Sequence, residues 1–495
     1  MTRVLVIGID SMDALLVQQY KDHLPSLSRL YHETPHISMH SVFPPDSDTA
    51  WASIYTGWNP ARHGIVNFVD PLEKASIYQT DYLDSKKIQG STFWDFAGKA
   101  GKRVCLVNPH VGYPVWPVNG FMLSRISKKK GFAAYPPDSL HTLVLDGLEA
   151  PDRIPDSISE YPRYLDTCRS VVLAEISFAK HLLHEKPWDL FFFYSSMLDF
   201  IQHIFWSYCD PADPMYPGGG NQFRDAILDF YILYDRGVRE LMAEVEDQDV
   251  AVVVLSDHGH AMRPLDLINI NEILRMQGYL VARSGVAAPV NSMTDSLKRY
   301  LVNIAQRTAL RGTALKMLRR FPKVKELYTT PASIDFKRSI ARCTDLSGMK
   351  SYAYGGILLT RDLLPGPRYA EVRDDIIGRL REFRHPTTQQ PVFAWVRYRD
   401  EMYSGPYLER LPDILFRLKE GYGAGWAVNE GLLSRAHTHN FFPGSHRGET
   451  PVFFLENTGN RKVARMQATL LDVAPTILDL LEVPYDQGQF DGTSL

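Results

Sequence analysis

Three short apolar runs, each closed by an aspartate, constrain this chain more than any other feature of it. Val4–Ile7 leads to Asp10, Trp188–Tyr194 to Asp199, and Val250–Leu255 to Asp257. These runs are apolar at nearly every position rather than at alternate ones. A strand buried on both faces needs that pattern, and such strands belong to parallel sheets covered by helices. Lys102–Asn108 is a further run of the same kind. Helical periodicity lies between the runs, at Thr92–Gly101, Cys168–Glu185 and Asn221–Glu246. The alternation predicts an α/β fold with a central, mostly parallel sheet sandwiched by helices.

In such a sheet the three aspartates leave the strands at one edge, where α/β folds place their ligands. Each alone is equally well read as a helix cap. Together at one edge, three carboxylates repel one another strongly unless cations sit between them. His203 follows Asp199 by four residues, and on a helical turn the two share a face and can grip one ion. Such a pair also often just hydrogen bonds. His258 and His260 directly follow Asp257. No glycine-rich dinucleotide fingerprint follows the first run.

Ser41–Ile65 carries the other chemical signal. Two prolines precede Asp46-Ser47-Asp48, and an apolar stretch, Ala50–Tyr55, ends in Thr56-Gly57. The order predicts a loop, an exposed polar residue and a helix starting near Thr49. A serine in that place can cap the helix. It can also be a nucleophile, because the free N–H groups and dipole there favour the anion of a reacting phosphate.

The chain has 495 residues, enough for two to four domains on the usual length prior. Residues 130–165 read as an irregular surface excursion. After Gly278-Tyr279-Leu280 the composition changes. Residues 286–327 are basic and helical, a solvated helix pair or a contact for an anionic surface. Residues 333–400 alternate strand and helix, with Glu371–Arg384 the clearest helix. Pro412–Phe416 is a strand expected to rejoin the main sheet, and 421–445 reads as loop. The expected division is a catalytic core over 1–284, an inserted α+β cap over 285–405, and the second part of the core over 406–495. Pro451–Leu455 is a strand, and Asp472 caps the last helix, which has Pro475 in its first turn.

Hydrophobic content of 45% and charged content of 22% fit an ordinary globular chain. A net charge of -3 leaves no broad basic field, so no stable nucleic-acid partner is expected. No signal peptide and no run of membrane-spanning length is expected. Four scattered cysteines without a CxxC pair read as reduced thiols of a cytoplasmic protein.

The motifs VIGID, FPPDSDTAWASIYTGWNPARHGI, DFIQH, SDHGH, PDIL, GSHR and DVAPTILDLL, in this order, resemble the alkaline phosphatase superfamily, in its type I phosphodiesterase/nucleotide pyrophosphatase branch. The resemblance covers nearly the whole chain and is weakest over 285–330. It implies two divalent metal ions, commonly zinc. One would be held by Asp199, His203 and His446, the other by Asp10, Asp257, His258 and the nucleophile. Counting ten residues back from Gly57 makes that nucleophile Ser47, with Thr49 the competing hydroxyl. Most members of the branch have threonine there. Members also have an asparagine that helps bind the phosphoryl oxygens. Asn67 is one position off, with Phe68 at the matching place. Aspartate and histidine ligands without thiolate fit Zn²⁺, and also Mn²⁺ or Fe.

The resemblance implies metal-dependent hydrolysis of phosphodiester or nucleotide pyrophosphate bonds through a phosphoseryl intermediate. The substrate would be small and phosphorylated, such as a nucleotide. A phosphomonoesterase or a phosphoryl transferase would share the site, and a non-catalytic binding protein would share the fold. A sulfatase is not expected, because Ser47–Trp51 lacks the proline and arginine of the sulfatase motif. Tyr113, Trp116, Tyr422 and Trp426 could stack on a base or only pack.

Overall fold

The computed structural model describes residues 3–66, 68–69, 85–126, 130–151, 154–155, 157–246, 249–283, 334–346, 352–429, 431–436, 438–440, 442–458, 463 and 465–495. Asn67 and the basic stretch 286–327 lie outside the described residues.

The elements that build the site are, in chain order, β1 (Arg3–Ile9), α1 (Ser47–Thr56), β2 (Val104–Val107), β3 (Gly120–Arg125), β4 (Phe132–Tyr135), α2 (Tyr161–Glu185), β5 (Leu190–Ser195), α3 (Met197–Cys209), α4 (Ala226–Ala243), β6 (Val250–Leu255) and β7 (Gly259–Met262). They continue with β8 (Ala341–Cys343), β9 (Tyr354–Leu359), β10 (Phe393–Tyr398), β11 (Ile414–Leu418), β12 (Gly444–Arg447) and β13 (Phe453–Glu456).

Seven strands form the main sheet in the order β13-β6-β1-β5-β2-β3-β4. The five inner strands are parallel, and β13 and β4 are antiparallel edges. In the register Ile9 pairs with Ser195, and Gly8 with Leu255. The chain therefore leaves β1, β5 and β6 at one edge, as the three apolar runs predict.

Alternate residues of β1 enter two separate cores. Leu5, Ile7 and Ile9 pack with α2, α3 and α4. Val4 and Val6 pack with α1, with Phe93 and Trp94, and with the last helix, Val473–Leu480. Both faces are covered, which is why the runs are apolar throughout. Each such side chain contributes about 1.5–3 kcal/mol.

Three expectations need correction. The excursion at 130–165 contains β4 and the start of α2. The edge strand is only four residues long, too short to show a period. Pro162 occupies the first turn of α2, where its missing N–H costs nothing. The second concerns Pro412–Phe416. Its strand β11 does not rejoin the main sheet but lies in a second, antiparallel sheet, β8-β9-β11-β10. The third is the 421–445 segment, which is not all loop but supplies two strands, Tyr422–Gly425 and Leu433–Arg435, on either side of Asp266–Asn269.

The second sheet shares a core with the helices Ile270–Met276 and Arg368–Glu382. A small cluster joins it to the loop before α1. There Phe43, Ala61 and Val66 meet Tyr352, Tyr354, Leu411 and Leu415, and the Phe43 N–H donates to Tyr403 Oη at 2.7 Å. Among the described residues no helix is long and apolar enough to cross a membrane.

Candidate metal centre

Asp46, not Ser47, caps α1. Its backbone is extended, and its carboxylate accepts the Asp48 N–H at 3.1 Å. Ser47 is thus the first residue of the helix, and its hydroxyl is not spent on capping. Ser47 Oγ lies 3.4 Å from Asp10 Oδ1 and 3.1 Å from His258 Nε2. Thr49 is fully buried, and its Oγ1 has no hydrogen-bond partner.

Asp10 follows β1 directly. Its Oδ2 accepts from Trp51 Nε1 at 3.1 Å and from Tyr194 Oη at 2.6 Å. Trp51 reaches it because Gly8 has no side chain: a Cβ there would sit 2.7 Å from the indole. Asp257 Oδ1 accepts the Ser11 N–H at 3.1 Å, while its buried Oδ2 has no partner. Asp199 is not at a strand end. β5 stops at Ser195, and Asp199 stands in the first turn of α3, where the helix dipole favours a carboxylate. His203 is one turn further along.

Three histidines face the same space, and the backbone orients each. Nδ1 of His203 is 3.0 Å from Gly444 O, Nδ1 of His446 is 3.0 Å from Pro45 O, and Nδ1 of His258 is 3.1 Å from Gly259 O. A carbonyl only accepts, so each Nδ1 carries the proton and each Nε2 turns a lone pair inward. His446 is placed by the pairing of β12 with β7, which sets it opposite His260.

These inward atoms could hold a cation. His203 Nε2 and His446 Nε2 lie 2.9 Å apart, two lone pairs facing each other. Asp199 Oδ1 is 3.4 Å from both and has no hydrogen-bond donor. His258 Nε2 is 3.2 Å from the unpartnered Asp257 Oδ2 and 3.7 Å from Asp10 Oδ1. Two sets have ligand atoms within 4.8 Å of one another, Asp199–His203–His446 and Asp10–Asp199–His258. Asp199 belongs to both, which the sequence reading did not foresee. Orphaned acceptors around one space, each fixed by an outer hydrogen bond, are the arrangement metal ligands adopt.

Electrostatics agree. Burial, then the charges of Asp257 and Asp199, raise the Asp10 carboxyl well above its ordinary value. Burial pushes Asp257 up to about 7. Burial also works against the Asp199 charge, but His203, His446 and His260 together hold that carboxyl well below its ordinary value. Burial and neighbouring imidazoles hold His446 and His260 well below theirs. Without a cation, burial and mutual repulsion thus favour the neutral carboxyl at Asp10 and Asp257, and a cation between them would favour their charged forms.

Sequence reasoning missed His110 and gave His260 no role of its own. His110 bridges Asp48 and Tyr194 at 2.8 and 3.1 Å; its signal was its place just after β2, on the ligand edge. His260 bonds Ser11 Oγ through Nδ1 at 2.7 Å and stacks on Trp206. Of the four aromatics weighed as base-stacking, Trp116 is buried, donates to Asp95 and packs near Trp94.

The sequence profile for type I phosphodiesterase / nucleotide pyrophosphatase matches residues 4–427. The chain belongs to that family. Among solved structures it is similar to phosphonoacetate hydrolase from Sinorhizobium meliloti in complex with phosphonoformate, at 17% identity and a TM-score of 0.53, covering 97% of this chain and 95% of that one. The same enzyme with phosphonoacetate gives 16% and 0.53 at the same coverage. Murine ectonucleotide pyrophosphatase / phosphodiesterase 5 in complex with AMP matches at 15% identity and a TM-score of 0.47, over 100% of this chain and 98% of that one. The likeness to the hydrolase is one of fold. A comparison with curated proteins finds no match.

Proposed function

We propose that this protein hydrolyses small phosphate diesters or nucleotide pyrophosphates, with Ser47 as nucleophile in a two-cation site. The observation that carries the reading is the place of Ser47 Oγ. It stands at the N-terminus of α1, 3.1 Å from His258 Nε2 and 3.4 Å from Asp10 Oδ1, with Asp199 joining these residues to the His203–His446 pair.

Asp199, His203 and His446 would hold one cation. Asp10, Asp257, His258 and Ser47 Oγ would hold the other. A divalent pair supplies charge that acidifies the serine hydroxyl and offsets the charge of the phosphoryl group. The donor set suits Zn²⁺, with Mn²⁺ or Fe as alternatives.

The chain's own residues do the rest. Asp10 and His258 hold Ser47 Oγ in place, and the free N–H groups of the first turn of α1 favour an anion in front of it. Oγ attacks phosphorus, the bond to the leaving oxygen breaks, and a phosphoseryl ester forms on Ser47. Water then hydrolyses that ester and restores the hydroxyl. The second sheet, packed on the Phe43 loop, acts as the cap that reads the far side of the substrate. The four cysteines are unpaired, which supports a reducing, cytoplasmic location.

The test is cleavage of bis(p-nitrophenyl) phosphate against p-nitrophenyl phosphate, with Zn²⁺ or Mn²⁺ added. Faster cleavage of the diester is expected. Faster cleavage of the monoester would move the protein to the phosphomonoesterases, and turnover of neither would contradict the hydrolase reading.

A further inference from the structure

A chain of hydrogen bonds runs from the first turn of α1 to the back of Asp10. Asp48 Oδ1 meets His110 Nε2 at 2.8 Å, and His110 Nδ1 meets Tyr194 Oη at 3.1 Å. Tyr194 Oη meets Asp10 Oδ2 at 2.6 Å, and Trp51 Nε1 reaches the same oxygen at 3.1 Å.

With Asp10 ionised, as it must be to hold a cation, counting donors fixes the protons in this chain. An indole N–H only donates, and an ionised carboxylate only accepts. Tyr194 has one hydrogen, and its shortest contact is to Asp10, so it donates there. Its oxygen then accepts from Nδ1–H of His110, while Nε2–H of His110 donates to Asp48. Both ring nitrogens carry protons, and His110 is an imidazolium between the Asp48 carboxylate and the Tyr194 hydroxyl. Were Nδ1 bare, the Tyr194 hydrogen would turn toward it, and Asp10 Oδ2 would lose its shortest donor.

We infer that His110 is a positioning residue for the metal centre: held by Asp48, it compels Tyr194 to donate to Asp10 Oδ2, so that Asp10 presents only Oδ1 to Ser47 and His258. This rests on the two-cation reading above. It deepens that reading by naming the outer residue that orients one ligand and ties it to the helix turn bearing the nucleophile. The charge balance supports it. Although burial disfavours the imidazolium, the hydrogen bond and charge of Asp48, with Asp10 and Asp257 beyond, push His110 up to about 9.

The experiment is a double-mutant cycle read as Zn²⁺ affinity, with Zn²⁺ alone titrated calorimetrically into the metal-free full chain. The variants are His110→Ala, Tyr194→Phe and the pair. Outer partners of metal ligands are worth about 10–100-fold in affinity. Each single variant is expected to weaken the tighter-responding site by about tenfold. The pair is expected to match Tyr194→Phe alone, because His110 acts through the tyrosine. If His110→Ala does not fold, His110→Gln replaces it, since one amide nitrogen cannot span both partners.

Additive losses in the pair would overturn the route through Tyr194. Unchanged affinity in the His110 variant, with tight binding in the wild type, would overturn the positioning role alone. No Zn²⁺ binding by the wild type would overturn the metal-site reading and this inference with it.

Discussion

His63 makes the acid stability of this protein calculable. It lies behind α1, fully buried, with Ser53 Oγ 2.9 Å from Nε2 and the Ile65 N–H donating to Nδ1 at 3.1 Å. The second bond makes Nδ1 the bare nitrogen, so Nε2–H donates to Ser53. The neutral ring satisfies both partners, and a second proton would break the bond from Ile65. Burial, helped by the charge of Lys87, lowers His63 from 6.5 to about 3. Between those values the unfolded chain holds a proton that the folded chain does not, so stability falls as pH falls. The contribution is intact above 6.5. Near pH 4 it has cost folding about 3 kcal/mol, at 1.36 kcal/mol per pH unit. That is a large part of the roughly 5–15 kcal/mol of a typical domain. The assay is urea unfolding with a chelator present, at neutral pH and at about pH 4, for wild type and His63→Gln. The amide can accept from Ile65 and donate to Ser53 but cannot titrate. The variant is expected to lose about 1 kcal/mol at neutral pH and to be about 3 kcal/mol less sensitive to acid. Equal acid sensitivity in the two proteins would refute the reasoning.

Other outcomes follow from the same geometry. Gly444→Ala would put a Cβ 2.3 Å from Gln202 O and 2.5 Å from His260 Nε2; it should shift β12 and weaken metal binding by about tenfold or more, measured by Zn²⁺ titration. Asp199→Asn is expected to reduce bound metal more than His203→Asn does, counted by elemental analysis, because Asp199 alone belongs to both ligand sets. Chelation should lower the melting temperature, since a cation at a thousand times its dissociation constant stabilises by about 4 kcal/mol. An unchanged melting temperature would mean that no such cation is held.

Much of this was legible in the sequence because buried parallel strands advertise themselves. The three runs ending toward Asp10, Asp199 and Asp257 gave the sheet and the edge of the site with no long-range information. Asp199 came out one helical turn away from its expected place, because a strand end and the first turn of the next helix are a few residues apart and look alike. What stayed hidden depends on tertiary contact. Nothing local marks Tyr194, the last apolar residue of a strand, as the donor to Asp10, or His110 as the donor to Tyr194. Pro412–Phe416 read correctly as a strand and wrongly as part of the main sheet, because strand pattern carries no partner. Ser47 could be read locally as a cap or a nucleophile, and the backbone decides: Asp46, one residue earlier, is the cap.

The most direct test of the central claim is the pair of metal content and diesterase rate in Ser47→Ala, beside Thr49→Ala. Ser47→Ala should keep most of its bound metal, because Asp10, Asp257 and His258 remain, yet lose turnover of bis(p-nitrophenyl) phosphate by about a thousandfold or more. Thr49→Ala should keep both. Undiminished turnover in Ser47→Ala, with Thr49→Ala inactive, would contradict the assignment of the nucleophile and the reading of the site built around it.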